Sequence, residues 1–410
     1  MQPEIVVPDA EDFVASMTPV WQAFGMADLD EDTRSDARIQ FDASRPLAAR
    51  VDGEWVGVAG DYPFQMTLPG GASTPTSGVT MVGVSPTHRR QGILTALMTR
   101  QLDDIAERGE ALAILTASES VIYGRFGYGA ATAKAVTSIE TARSGYQAEA
   151  TPPGRCRMMA KERAMPVIKA VHEACRTQRA GAVVRMNWWW EWLERDRPAD
   201  REGASANFFV VHEDGDGQPD GYAVYRIKES WKDGMPRATL YAREVQGASV
   251  EIEAALWRLL CDVDLVERVE CWSRPLDDPL RWRFAEPRRM RTTGVSDWLW
   301  LRVLDVPTAL ELRGYEAEGD LVIDVIDQFR PSAAGRFRLE AGPDGASCKP
   351  TTESADLTLG ASELGAIYLG GLAPSLLAEA GRVECRSTDG LARADALFMT
   401  RKLPFDNTGF

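Results

Sequence analysis

A chain of 410 residues, 44% apolar and 26% charged, is globular in composition and too long for one ordinary core, so it should fold as two or three domains. Its net charge of −15 argues against nucleic acid as a partner and favours cationic small molecules or lysine-rich peptides. No apolar run reaches the ~20 residues of a membrane span, and the acidic start MQPEIVVPDAEDF lacks the layout of a secretion signal. Six cysteines without CxxC spacing and three scattered histidines point to a reduced, cytoplasmic protein without a metal site.

Taken in order, RPLAARVDGEWVGVAGDYPFQMTL predicts two strands joined by an Asp52-Gly53 turn. GGASTPTSG reads as a small-residue loop, and VTMVGVSP as a strand stopped by Pro86. From Gly92, GILTALMTRQLDDIAERG has apolar residues at 94, 97, 98, 102 and 105, the spacing of a helix, with Gly109 as its stop. ALAILTAS is a buried strand. VIYGRFGYGA then begins a short helix near Ser120 that holds Tyr123 and ends at Gly127. Tyr128 lies beyond that end, where packing at the start of the next strand is the simpler role.

The pattern then repeats. A helix is predicted in the run from Met158, a hairpin in NFFVVHEDGDGQPDGYAVYRI and a strand in ATLYAREVQG. A helix follows in VEIEAALWRLLCDVD and a strand in VERVECWS. Between that strand and helix stands only QGAS, without arginines, so this second copy has lost the loop described next. After Trp298 come short strands in LWLRV, GDLVIDVID, GRFRLEAG, GASCKPT and ADLTLGAS. Helical patterns follow in ELGAIYLGG, in PSLLAEAG and from Gly390 to Phe398. The expected domains are 1–150, 151–296 and 297–410, mixed α/β and α+β in class.

The most informative segment is SPTHRRQGILTAL. A strand stops at a proline, two arginines and a glycine follow, and a helix begins. The first helix amides lack partners and carry the positive end of the helix dipole. Glycine lets the backbone approach a ligand, and the arginines add charge, so the loop is a site for a pyrophosphate. It is neither a Walker loop nor a Rossmann fingerprint.

RRQGI after VTMVGV resembles the acyl-CoA motif of the GCN5-related N-acetyltransferases, R/Q-x-x-G-x-G/A, with Leu94 where the second small residue usually sits. VGVSPTHRRQGIL followed by ASESVIYGRFGYG resembles one branch of them, the Eis (enhanced intracellular survival) family. The resemblance implies tandem acetyltransferase folds, the second degenerate, and a C-terminal sterol-carrier-like domain. It implies acetyl-CoA as co-substrate, bound by Val82, Gly83, Val84, Arg90, Gln91, Gly92, Ile93, Leu94, Thr95, Ser118 and Glu119. Arg89 is a weaker candidate.

Acetyl transfer from a thioester to an amine needs a base for the ammonium and an acid for the leaving thiolate. The resemblance gives these roles to the α-carboxylate of Phe410 and the phenol of Tyr123. It places Phe24 and Met81 in an apolar amine pocket, with Asp28, Asp30, Glu31 and Asp32 near enough to attract cations. Gly409 supplies no acid at the penultimate position. The expected acceptors are cationic amines such as aminoglycosides, acetylated at several positions. Protein lysines or polyamines are the alternative within the same fold, and lipid binding by the C-terminal domain is the reading from another class. The expected assembly is a homohexamer.

Overall fold

The structure, a computed structural model, describes residues 3–26, 30–148, 154–386 and 388–410. It divides into two compact units, one of Met1–Thr132, Trp298–Arg401 and Thr408–Phe410, the other of Ala133–Asp297 and Lys402–Asn407.

The first unit opens with β1 (Glu4–Val6) and three helices, α1 (Phe13–Ser16), α2 (Thr18–Ala23) and α3 (Glu31–Ala43). Next come β2 (Arg45–Val51) and β3 (Glu54–Thr67). Asp52 (φ 51°) and Gly53 (φ 84°) turn between them, because a two-residue hairpin needs left-handed residues to match strand twist. β4 (Ser73–Val84) starts earlier than expected: most of GGASTPTSG is strand, paired to β3 from Ser73 to Gly78. Its small residues look like a loop to local propensity, and long-range pairing overrides that preference. α4 (Ile93–Glu107) buries Ile93, Leu97, Met98, Leu102 and Ile105 along one face, and Gly109 (φ 75°) ends it. β5 (Leu112–Thr116), α5 (Ser120–Tyr123) and β6 (Gly129–Ala130) complete the run.

The chain then leaves this sheet. β7 (Ala133–Glu140) pairs with strands of the second unit, which continues as β8 (Arg155–Met159), α6 (Lys161–Arg176), α7 (Asn187–Arg195), β9 (Phe208–Glu213) and β10 (Pro219–Lys228). A small hairpin, β11 (Trp231–Lys232) and β12 (Met235–Pro236), precedes β13 (Ala238–Gly247), α8 (Val250–Cys261), β14 (Val266–Arg274) and β15 (Met290–Asp297). Their sheet has the order β15-β7-β14-β13-β10-β9-β8. The helix expected from Met158 starts at Lys161, because Arg157, Met158 and Met159 pair with β9.

The chain returns with β16 (Leu299–Val303), which inserts between β5 and β6. The first sheet thus reads β1-β2-β3-β4-β5-β16-β6. The chain changes sheets at 132/133 and again at 297/298, so the first change precedes the boundary expected at 150. β7 alternates buried and open positions while β16 is buried at all but Trp300, and neither pattern selects one sheet over the other. α9 (Val306–Leu312) leads to a sheet of β17 (Gly319–Ile326), β18 (Gly335–Gly342), β19 (Gly345–Pro350), β20 (Leu357–Gly360) and, after α10 (Ala361–Tyr368) and α11 (Pro374–Glu379), β21 (Val383–Cys385). α12 (Thr388–Phe398) packs on β17. This α+β segment groups with the first sheet, against which α10 lies so closely that a Cβ on Gly129 would meet Ser362 O at 1.8 Å.

Candidate active site

The chemistry-bearing residues of the first sheet gather where β4 and β5 part. These parallel strands pair only through Ser77, Gly78 and Val79 with Ala113, Ile114 and Leu115. Beyond Val79 the edge of β4 facing β5 has no strand partner, while its other edge stays paired to β3 as far as Val84. A bulge opens this fork. Val58 faces Gly83 but Gly60 faces Thr80, so β4 carries one extra residue, and Met81 adopts φ 54° there. A bulge bends its strand and increases its twist. The unpaired backbone edge of residues 80–84 suits an extended ligand that carries amides of its own.

At the mouth of the fork a short helical turn, Pro86–His88, leads into Arg89, Arg90, Gln91 and Gly92. Arg90 (φ 64°) and Gly92 (φ 83°) are left-handed, so the loop turns sharply into α4. Gly92 caps the helix without a side-chain hydrogen bond, and the first turn holds no acid. Arg89, Arg90 and Gln91 are exposed beside these uncapped amides, an arrangement whose charge suits an anion. Of the other expected contacts, Val82 and Val84 pack on the α4 side of the sheet. Ile93 has its side chain in the core, leaving only its amide for a ligand, while Leu94 is half-buried and Thr95 exposed. Gly83 is a glycine for packing reasons too, since a Cβ there would lie 2.5 Å from Val20 Cα.

Past β5, Ser118 and Glu119 are exposed and α5 begins. Tyr123 ends that helix, 6% exposed, in a cluster with Val79, Leu115 and Met98. Burial, with the Glu119 carboxylate adding to it, pushes its phenol up to about 12. The group therefore stays protonated at physiological pH and is available as a donor. Gly127 (φ 81°) closes the turn, and a Cβ there would strike Arg302. Gly124 is different: the space around it is open, so no close packing of the protein requires glycine there. Tyr128 is fully buried, edge-on to Tyr123 at 6.2 Å, with its hydroxyl unpartnered.

Phe410 sits at the same fork. Its ring packs edge-on to Phe64 at 4.9 Å, and a Cβ on Gly78 would come 3.2 Å from it. The Thr116 hydroxyl donates to the Phe410 carboxyl oxygen at 3.3 Å. Gly78 and Thr116, which meet Phe410, immediately neighbour Val79 and Leu115, which meet Tyr123. Neighbouring residues on a strand face opposite ways, so Phe410 and Tyr123 approach the fork from opposite faces of the sheet. Thr116, Phe64 and Gly78 were missed in the sequence. The available signal was Gly78 itself, because a glycine inside a strand often marks close approach by another group.

The expected amine pocket is less gathered. Met81 packs with Val20, Trp21 and Val58, on the face opposite Val82 and Val84. Phe24 stands 60% exposed just past α2. Asp30, Glu31 and Asp32 are exposed at the start of α3, and Asp28 lies outside the described residues.

Comparison with known proteins agrees with this geometry. Residues 8–131 match the model of an acetyltransferase (GNAT) domain, 181–303 a second model of the same description, and 306–405 a sterol carrier protein domain. The chain is 41% identical over 356 residues to an uncharacterised N-acetyltransferase of Streptomyces coelicolor, spanning 87% of this chain and 86% of that one. It is 34% identical over 352 residues to the N-acetyltransferase Eis of Mycobacterium tuberculosis, spanning 84% and 83%. The crystal structure of Eis1 from Mycobacterium abscessus superposes with a TM-score of 0.88 at 35% identity, covering 99% of this chain and 100% of that one. The chain belongs to the Eis family of N-acetyltransferases. Acetyltransferases of this fold take their acetyl group from acetyl-CoA, and an open fork with an uncapped, arginine-flanked helix start suits that long, pyrophosphate-bearing thioester.

This Eis-family chain has a second acetyltransferase half in which the equivalent elements are differently furnished. β13 and β14 pair in parallel from Ala238 to Tyr241 and then part. Arg274 fills the gap: its guanidinium donates to Val245 O at 3.3 Å, to Glu253 at 2.8 Å and to Asp278 at 2.6 Å. The start of α8 is capped by its own Ser249, which accepts from Ile252 N, and Glu251 and Glu253 occupy the first turn. A capped helix start with two acids repels an anion where the first half invites one.

Proposed function

We propose that this enzyme transfers the acetyl group of acetyl-CoA to amines of cationic small molecules such as aminoglycosides. The observation that carries the reading is the fork between β4 and β5, with a protonated phenol on one face and a carboxyl group on the other. Val82, Gly83 and Val84 would bond the pantetheine arm through their backbone. Arg90, Gln91, Gly92, Ile93, Leu94 and Thr95 would hold the pyrophosphate, and Ser118 and Glu119 would flank the arm beyond β5. The Phe410 carboxylate takes the proton from the substrate ammonium, the amine attacks the thioester carbonyl, and Tyr123 donates to the departing sulfur. With its phenol at about 12, Tyr123 lies above an ordinary thiol near 8.5, so it stabilises the leaving thiolate mainly by a hydrogen bond. Met81 and Phe24 would line the acceptor side, where the −15 net charge and the acids at the start of α3 draw in cations.

The test is a thiol-release assay with acetyl-CoA and a panel of aminoglycosides, polyamines and lysine peptides. Release with the aminoglycosides supports the reading. Release only with lysine peptides or polyamines moves the acceptor to that class. No release with any amine, together with no acetyl-CoA binding by calorimetry, overturns the activity altogether. Tyr123→Phe should lower kcat about 10²-fold. A short extension beyond Phe410 should do likewise, and full activity in the extended protein would remove Phe410 as the base.

A further inference from the structure

The second half has lost its anion loop, yet it holds a cationic hollow elsewhere. On β13, Leu240 and Ala242 face the core, so Tyr241 and Arg243 face the other way. On β14, Val269 and Cys271 face the core, and Trp272 points outward, 66% exposed. These outward groups border a cavity of about 280 Å³ whose remaining wall includes Asp200–Glu202, Arg226 and Lys228.

The charges of this cavity do not balance. Arg201 and Arg226 share the carboxylate of Asp196. Arg243 has no carboxylate within ion-pair distance among the described residues. Its guanidinium hydrogen-bonds the Asn207 side-chain oxygen at 3.4 Å and lies 5.7 Å from the centre of the Trp192 ring. Burial and then the neighbouring Arg226 pull it below the usual arginine range, against the more distant carboxylates of Asp196, Glu244 and Asp200. Lys228 is exposed at the rim and makes no ion pair with the described residues. In a protein of net charge −15, a half-buried guanidinium with no carboxylate in direct contact stands out. The Asn207 amide and the Trp192 face hold the guanidinium in place without a direct ion pair, which leaves it able to take an anion.

We propose that this hollow is a binding site for a small aromatic carboxylate, separate from acetyl transfer. The carboxylate would pair with Arg243, which presents parallel N–H groups suited to it. The ring would lie against Trp272, which is exposed, and Tyr241, which is half-buried. The cavity volume admits one or two fused rings rather than a nucleotide or a lipid. Asp200 and Glu202 on the same wall disfavour a second negative charge.

The test is calorimetric titration of the full chain with benzoate and indole-3-carboxylate, beside benzamide, acetate and inorganic phosphate. One aromatic carboxylate per chain is expected to bind, with benzamide and acetate at least tenfold weaker. Arg243→Gln and Trp272→Ala should each weaken binding at least tenfold and leave acetyl transfer unchanged. Because Arg243 has no carboxylate partner, Arg243→Gln should keep or raise the melting temperature. Equal binding of benzamide, phosphate binding as tight as benzoate, no binding of any aromatic acid, or a large drop in melting temperature on Arg243→Gln would each overturn the proposal.

Discussion

The two acetyltransferase halves share a strand order and treat the gap between their central parallel strands in opposite ways. In the first, β4 leaves β5 after Val79 and its backbone edge stays unpaired above an uncapped, arginine-flanked helix. In the second, β13 leaves β14 after Tyr241, and Arg274 occupies the gap. The parting of the strands is thus a property of the fold, and function depends on what is left inside it. The second half must still satisfy the Val245 carbonyl that the parting frees. It does so with a guanidinium that two carboxylates neutralise, against the pull of burial on Asp278.

The contrast can be broken most forcefully at Arg274. Arg274→Met strands Asp278 and Glu253, and the second unit should lose about 3–5 kcal/mol of stability by chemical denaturation. Acetyl-CoA should still bind once per chain by calorimetry, and a second equivalent would show that the plug alone had closed a working site.

The next largest effect concerns His172, buried in α6. Its Nδ1 lies 3.0 Å from Gln246 Oε1, and burial and then Arg185 hold its imidazole down at about 4. The 4.0 Å approach to Glu244 is therefore not an ion pair at neutral pH, and Arg185 already holds that carboxylate. A folded value below the unfolded 6.5 means full stability above about pH 6.5, lost as pH falls towards 4. The loss should reach about 3 kcal/mol. Denaturation curves at pH 7 and pH 4.5 check it, and His172→Gln should flatten the difference.

Gly92→Ala probes the other half. At φ 83° a Cβ costs about 1–2 kcal/mol. No neighbour crowds the site, so the chain should fold and its affinity for acetyl-CoA should fall about tenfold by calorimetry. The smallest effect is at the second helix start. Ser249→Ala removes the cap of α8, which should cost about 1 kcal/mol in thermal unfolding and leave turnover untouched.

Much of this was legible because it rests on local physics. The Asp52-Gly53 hairpin, the apolar face of α4 and the stop at Gly127 each follow from residues a few positions apart. The strand exchange was not legible, since the alternation of β7 and the short, mostly apolar run of β16 suit either sheet. Neither was the bulge at Met81, because no glycine marks that left-handed residue. Nor was the filling of the second gap, because Arg274 reads as an ordinary strand-end arginine until the fold sets Glu253 and Asp278 around it.

By itself the sequence determined the groups on offer: a basic glycine loop before a helix, a phenol at the end of a short helix, and Phe410 outside any predicted element. Only the tertiary structure decided that these gather around one fork between β4 and β5. The last residues of the chain form no helix or strand, and the position of Phe410 is set by Phe64, Gly78 and Thr116. Those contacts span hundreds of residues of chain. The physical reason is that periodicity and turn preference act over one or two turns of backbone, whereas the seat of a side chain depends on which strands the whole sheet brings side by side.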